Sequence, residues 1–524
     1  MSSPAVATGL VERTTREALE QKQKLQRHFG RFDVLFFLVC TLVGLDTIGT
    51  VANKGAQGFT WLIFLGIFFF FPYAMLTAEL GTAFPEEGGP YIWPRLAFGR
   101  LIASLNTIIY WIANPVWLGG TLAITAVTAW NTFFTGAQLG HTGQYIFAFC
   151  FIWVAILSAI VSFKYGKWIP TIGAWCRILV LAFFTISVIL FAFKHGVHGF
   201  GSGQFAPTWP LFVSLVPVLF FNYVGFELPN AAGDEMKNPS RDVPFGIARA
   251  FVASVLLYGG PILAILLVLP TKLITSLSGF LTAIETVFTV YGGHIAANGT
   301  PTLTGAGQAL GYIGCLAFIF ALLTSGSTWI MGSDRVEAVA AYDGSGPPQL
   351  GVFNTLFGTP IRVNVVSGII STVLMFLAFT LTSGDAAKYF GAVLGLAIST
   401  TTISYLAVFP ALISLRYKRP EVPRPYKVPF GMAGVWVIGV LCELWALFAT
   451  AALLWPGILT SNPDASLPTG FTRSQYEWSQ ILPLLAFFAL GIIFYLLGTP
   501  TRRDEVEVPL ETPDDRNPMP LPAT

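Results

Sequence analysis

Between Leu101 and Phe163 the chain carries no Asp, Glu, Lys or Arg, and over its 524 residues only 11% are charged. Soluble domains run nearer a quarter charged, and no soluble fold needs so long a charge-free stretch. Two bilayer crossings joined by the polar turn from Asn131 to Gln144 do need one. The net charge of +2 leaves no basic surface for nucleic acid, so no nucleic-acid partner is expected. Cysteine is scarce as well. Cys40, Cys150, Cys176, Cys315 and Cys442 are odd in number, lack a CxxC spacing and fall inside apolar runs, which argues against a disulfide framework or a metal centre. They read as small core hydrophobes. The five histidines are scattered; His195 and His198 form a close pair, but no third ligand lies nearby. No metal, no cofactor and no enzymatic constellation is expected.

What the chain does have is apolar length. Hydrophobic residues make up 54% and mean hydropathy is +0.68. Runs of spanning length fall at 34–53, 60–84, 101–130, 145–163, 170–193, 208–232, 244–269, 306–332, 362–382, 387–414, 431–455 and 480–498. These predict an all-α polytopic membrane protein with twelve transmembrane helices, its lipid partner being the bilayer itself. With the N-terminus placed in the cytosol, the inner segments hold 24 of the 29 Lys and Arg residues. The outer loops keep only Lys54, Lys194, Lys272, Lys388 and Arg473. So steep a bias supports both the count and cytoplasmic N- and C-termini, in an integral protein assigned to the plasma membrane. No cleavable signal peptide is expected, because the first 30 residues are polar and the first apolar run is a full span.

The expected organisation is a cytosolic segment over 1–33, a five-helix repeat over 34–193, a second over 208–414, helices 11 and 12 over 431–498, and a disordered cytosolic tail over 501–524. Residues 10–28 would form a charged helix. The semi-apolar 270–302 connection would carry an external re-entrant or interfacial helix, with a glycosylation sequon at Asn298-Gly-Thr300.

Two spans are interrupted in the same way. Asp46 sits in the first between Gly44 and Gly49, and Glu227 closes the sixth at Phe221–Glu227 (FNYVGFE). An acid in a membrane helix faces a cavity, a partner or a substrate, and the glycines point to a broken helix. Helices 1 and 6 each open a block of five spans, and an odd block inverts its successor. Discontinuous helices at equivalent places of two inverted repeats point to a binding site at the midplane. There a carboxylate either ionises against a cation or takes up a proton. Asp46 would otherwise cap its half-helix or bond Thr47 and Thr50, and Glu227 would otherwise pin helix 6 to a neighbour. Glu79, near the inner end of helix 2, suits packing or gating. Glu443, in helix 11, reads as structural or peripheral.

Several stretches resemble the amino acid–polyamine–organocation (APC) superfamily, over about residues 34–414. The Ala78–Trp93 connection (AELGTAFPEEGGPYIW) is similar to that of polyamine and amino-acid uptake members. Asn222–Glu227 (NYVGFE) with Asp234–Pro244 (DEMKNPSRDVP) resembles glutamate/GABA and arginine/agmatine antiporters. Gly326–Arg335 (GSTWIMGSDR) and Ala341–Gly344 (AYDG) complete the likeness. The resemblance implies the five-plus-five inverted-repeat (leucine-transporter-like) fold, alternating access, and an amino acid or polyamine as substrate. It further implies pocket positions at Gly44, Leu45, Asp46, Thr47, Ala113, Asn114, Asn222, Tyr223, Gly225 and Phe226, an aromatic lid at Phe221, a gating acid at Glu227 and a substrate-packing ring at Trp329.

Two departures from the family pattern bear on substrate and coupling. Where relatives that grip an α-amino acid carry Gly-Ser-Gly-like residues, this chain has Gly44-Leu-Asp-Thr47, whose acid repels a carboxylate unless it is protonated. An amine-rich substrate, a polyamine or a basic amino acid, suits it better. Arg177 falls on the helix 5 lysine that replaces sodium in many relatives. Its fixed charge would bridge helices 1 and 8 and disfavour sodium coupling, or it sits at the inner interface under the positive-inside bias. Arginine does not deprotonate, so proton coupling would fall to Glu227 or Asp46. A channel would need a repeated filter, which is not visible. A nutrient sensor on a transporter fold, binding without accumulating, is the remaining alternative, and exchange or proton symport would drive the transporter.

Overall fold

In hydrocarbon each backbone N–H and C=O must find its partner within the protein, so charge-free apolar runs become helices. The computed structural model describes residues 11–25, 27, 29–165, 168–197, 202–270, 273–381, 386–462, 464, 467–468 and 470–509. In chain order these hold β1 (Val11–Thr15), α1 (Arg16–Lys22), α2 (Arg31–Leu42), α3 (Ile48–Ala52), α4 (Ala56–Ala83), α5 (Gly89–Phe98), α6 (Arg100–Phe133), α7 (His141–Tyr165) and α8 (Trp168–His195). There follow α9 (Trp209–Tyr223), α10 (Pro239–Val268), α11 (Gly279–Phe288), β2 (Gly293–Ile295), β3 (Pro301–Leu303) and α12 (Gly305–Ala340). The last are α13 (Ile361–Leu381), α14 (Ala386–Lys418), α15 (Gly431–Leu454), α16 (Arg473–Leu497) and β4 (Glu505–Pro509).

Ten helical stretches among the described residues are long and apolar enough to cross a bilayer. The segments over 31–52 and 361–381, which complete the twelve read from sequence, fall outside that ten: α2 stops at Leu42 before α3 resumes, and α13 is a shorter apolar helix. The architecture is that of a polytopic, mostly helical integral membrane protein. Its interior is lined by α6, which packs against α14, α16 and α12, and by α2, which packs against α10 and α8. Lipid-facing helices such as α8 and α16 leave many large apolar side chains exposed, Leu179, Phe193, Leu482 and Leu496 among them.

The two ends depart from expectation. Residues 11–15 are a strand rather than the start of a helix, and only Arg16–Lys22 is helical. The tail is not without structure from residue 501: β4 pairs antiparallel with β1, from Val11 opposite Pro509 to Thr15 opposite Glu505. Arg100 holds Glu505 at 2.5 Å and Thr15 Oγ1 donates to Tyr342 O at 2.6 Å, which lays this two-stranded sheet against the end of α12. A strand whose partner lies almost five hundred residues away carries no local signal. His198, Lys272 and residues 510–524 lie outside the described residues. In the 270–302 connection, α11 is followed by the β2–β3 hairpin, with Asn298 and Thr300 at its turn.

Candidate functional site

The first break is held open by side chains from three other helices. α2 ends where Val43 leaves helical geometry (φ −98°, ψ 82°), which strands backbone groups that need partners. Tyr258 of α10 accepts from Gly44 N–H at 2.8 Å, and Trp329 of α12 donates to Thr41 O at 3.1 Å. Arg177 of α8 donates from Nε to Val43 O at 3.0 Å. Its Nη1 reaches Cys40 Sγ and Thr324 Oγ1, both at 3.1 Å, and Nη2 reaches Ala321 O at 2.5 Å and Ser325 Oγ. Arg177 is fully buried and ties α2 to α12.

Asp46 lies inside this break, 2% exposed. Its Oδ2 accepts from the indole N–H of Trp117, in α6, at 2.8 Å. Its Oδ1 is buried and has no hydrogen bond of ordinary geometry, although the backbone N–H groups of Asp46 and Thr47 lie within electrostatic reach of the carboxylate. Thr50 is not a partner; its hydroxyl turns to Ser276 O at 3.5 Å. The Trp117 ring meets Phe221 edge-on at 5.9 Å and Trp329 at 6.4 Å between centroids. A π-turn over Leu118–Leu122 follows Trp117 directly, where Gly119 lets the α6 backbone press against Ser371 of α13. Such turns recur beside functional residues.

The second break has a different interior. α9 ends at Tyr223, and Gly225 takes φ 130°, where a Cβ would strike Thr41 at 2.7 Å and the Trp329 ring at 3.1 Å. Only glycine lets the two broken helices abut there. Glu227 is fully buried among three tyrosines. Tyr110 and Tyr405 donate to its Oε1 at 2.8 and 2.7 Å, and Tyr73 donates to Oε2. The Tyr73 hydroxyl in turn accepts from the backbone N–H of Gly225 and Phe226, each at 3.0 Å. Glu227 thus braces the unwound backbone through Tyr73, and each of its oxygens is already bonded.

The structure brings together Gly44, Asp46, Thr47, Phe221, Gly225 and Trp329. Leu45 is buried within the same break, and Asn222 is buried with neither amide atom partnered. Tyr223 and Phe226 do not join them. The Tyr223 hydroxyl donates to Leu62 O at 2.9 Å, and both rings stack on Phe70 of α4, at 4.4 and 4.7 Å. Ala113 lies one turn before Trp117, and Asn114 donates within its own helix, to Tyr110 O at 3.0 Å. Trp117, Tyr258 and the three tyrosines are further residues at the two breaks, beyond those expected from sequence. The sequence does carry a signal for Trp117, which follows Ala113 by four residues and so shares its helix face; Tyr258 gives no local signal.

On the face that carries the termini, charges close the helix ends. Glu79 is gripped by Arg416 at 2.5 and 2.7 Å and by Arg424 at 3.4 Å, and it accepts from Val428 N–H. Arg335 pairs with Glu87 and, at 2.9 Å, with Glu235, joining the α4–α5 connection to the end of the second break and to α12. Burial pushes the Glu87 carboxyl well above its ordinary range, with the Arg335 guanidinium pulling the other way. Glu443 stands apart, lining an apolar groove of about 360 Å³ with Pro410 and Trp436.

The family model described as "Amino acid permease" matches residues 29–473, most of the chain and both breaks. The chain belongs to the amino acid permease family. Among its relatives is a probable agmatine/putrescine antiporter of Lactococcus lactis, 26% identical over 93% of this chain and 97% of the relative. An uncharacterised transporter of Legionella pneumophila is 29% identical over 79% of this chain and 88% of its own length. A branched-chain amino acid permease of Bacillus subtilis is 24% identical over 84% and 91%. This permease is therefore a transporter for amino acids or related amines, and not an enzyme.

Proposed function

We propose that this permease is a secondary active transporter that moves an amine-rich metabolite, a polyamine or a basic amino acid, across the plasma membrane by alternating access. The carrying observation is Asp46: a buried carboxylate in a broken helix, with one oxygen held by Trp117 and the other unbonded, beside the rings of Trp117, Phe221 and Trp329. An acid so placed attracts an ammonium group, and aromatic faces add to that attraction. The relative named for agmatine and putrescine supports the amine class.

In this reading the chain crosses twelve times, counting the broken first segment and α13, with both termini cytoplasmic, which the Lys and Arg bias supports. The first ten crossings form the five-plus-five inverted repeat. Arg177 supplies a permanent positive charge between α2 and α12, which supports sodium-independent transport driven by protons or by exchange. Phe221 acts as the lid, and Glu227, through Tyr73, transmits movement of the second break as the gate opens.

Proteoliposomes containing the purified protein test the reading through uptake of labelled putrescine, lysine and leucine, with and without sodium. Putrescine or lysine should enter without sodium, and Asp46→Asn should cut that uptake by about 100-fold. Leucine as the preferred substrate of both proteins would overturn it.

A further inference from the structure

Gly44 has a second role besides ending a helix. The point at which a Cβ on Gly44 would sit lies 3.0 Å from Asp46 Oδ1, 3.5 Å from the Tyr258 hydroxyl and 3.9 Å from Thr47 Oγ1. Three side-chain oxygens from α10 and the break thus cluster around residue 44, close enough that a Cβ there would crowd Asp46 Oδ1. Across the carboxylate, Oδ2 is held by the Trp117 indole N–H, whose ring system fills the space beside it. Asp46 therefore presents one oxygen to an incoming cation.

The number of free oxygens discriminates between cations. A guanidinium is a planar fork that pairs best with both oxygens of a carboxylate at once. A primary ammonium is a compact charge with three rotatable N–H donors, and it suits a single carboxylate oxygen flanked by neutral hydroxyls. We infer that Trp117 is a specificity-determining residue: by occupying Oδ2 it sets the Asp46 site to take a primary ammonium and to disfavour a guanidinium. The inference rests on the proposed amine substrate and names its end group.

The test compares 1,4-diaminobutane with 1,4-diguanidinobutane, which share a spacer and differ only in their ends, by calorimetric titration of the purified full-length protein. The wild type should bind the diamine tighter by about tenfold or more, the usual scale of discrimination for one mismatched polar contact. Trp117→Phe keeps a ring but removes the N–H, and should narrow the ratio to within about threefold by freeing Oδ2 for the fork. Gly44→Ala puts a methyl against Oδ1 and should weaken diamine binding by about tenfold while the protein remains monodisperse. An equal preference in the wild type, or an unchanged ratio in Trp117→Phe, would overturn the role of Trp117. Unchanged diamine binding in Gly44→Ala would overturn the three-oxygen site and decides the matter if Trp117→Phe does not fold. Binding of leucine with no response to either dication would instead defeat the amine reading of the whole site.

Discussion

The two broken helices carry the same sequence device, an acid beside glycine, and put it to opposite ends. At the first break, the one hydrogen-bonded oxygen of Asp46 is held by Trp117 and the other is unbonded. At the second, Glu227 is bonded at both oxygens by Tyr73, Tyr110 and Tyr405. The orphaned backbone is also handled differently. At the first break Arg177, Tyr258 and Trp329 bond it directly. At the second the acid is the anchor, acting through Tyr73 on the N–H groups of residues 225 and 226. The contrast separates an acid available to a ligand from an acid that maintains a fold. A charge in a membrane helix therefore has to be read with its partners before it is assigned a task.

Four substitutions press on that contrast. The largest effect is expected from Arg177→Leu, which strands the carbonyl of Val43 in the interior and removes the charged partner of Thr324 and Ser325. At about 1–3 kcal/mol for the orphaned carbonyl and about 1.5–3 kcal/mol for each lost bond to a charged group, the loss should reach several kcal/mol in denaturant melts of the detergent-solubilised protein. A loss under about 1 kcal/mol would mean that the first break does not depend on this bridge. Next comes Asp46→Asn, with amine uptake falling by about 100-fold for the loss of a charge-assisted contact worth about 3 kcal/mol. Its melting should stay closer to wild type than that of Arg177→Leu, since Trp117 is the one side chain that donates to the acid among the described residues.

Glu227→Gln should show the reverse pattern, losing about 2 kcal/mol of stability because an amide accepts at only one of its two ends. Its apparent KM for the amine should stay near wild type, and a rise as large as that in Asp46→Asn would erase the distinction between the two acids. Tyr223→Phe is the mildest, removing one hydrogen bond to Leu62 and about 1 kcal/mol with no change in amine KM. A changed KM would return Tyr223 to the pocket wall.

Much of the fold was legible because hydrocarbon imposes a simple rule: apolar runs of sufficient length become helices, and glycines beside an isolated acid interrupt them. The breaks at residues 43–47 and after Tyr223 fell where Gly44 and Gly225 placed them. The candidate site was legible in part. Asp46, Phe221, Gly225 and Trp329 were named from sequence, and the structure gathers them. Tyr223 and Phe226, named with them, instead stack on Phe70 of α4, a neighbour that no local sequence signal specifies. The strand at residues 11–15 was missed because its partner comes from the other end of the chain.

Sequence by itself determined that this is a polytopic membrane protein, where its helices break, and that an acid stands at each break. These follow from local composition and from the bilayer as solvent, which act on each segment separately. Only the tertiary structure decided which acid keeps a free oxygen. That depends on Trp117 arriving from α6 and on three tyrosines arriving from α4, α6 and α14. No property of residues 46 or 227 specifies those neighbours, because hydrogen bonding inside a membrane is settled by which helices pack together.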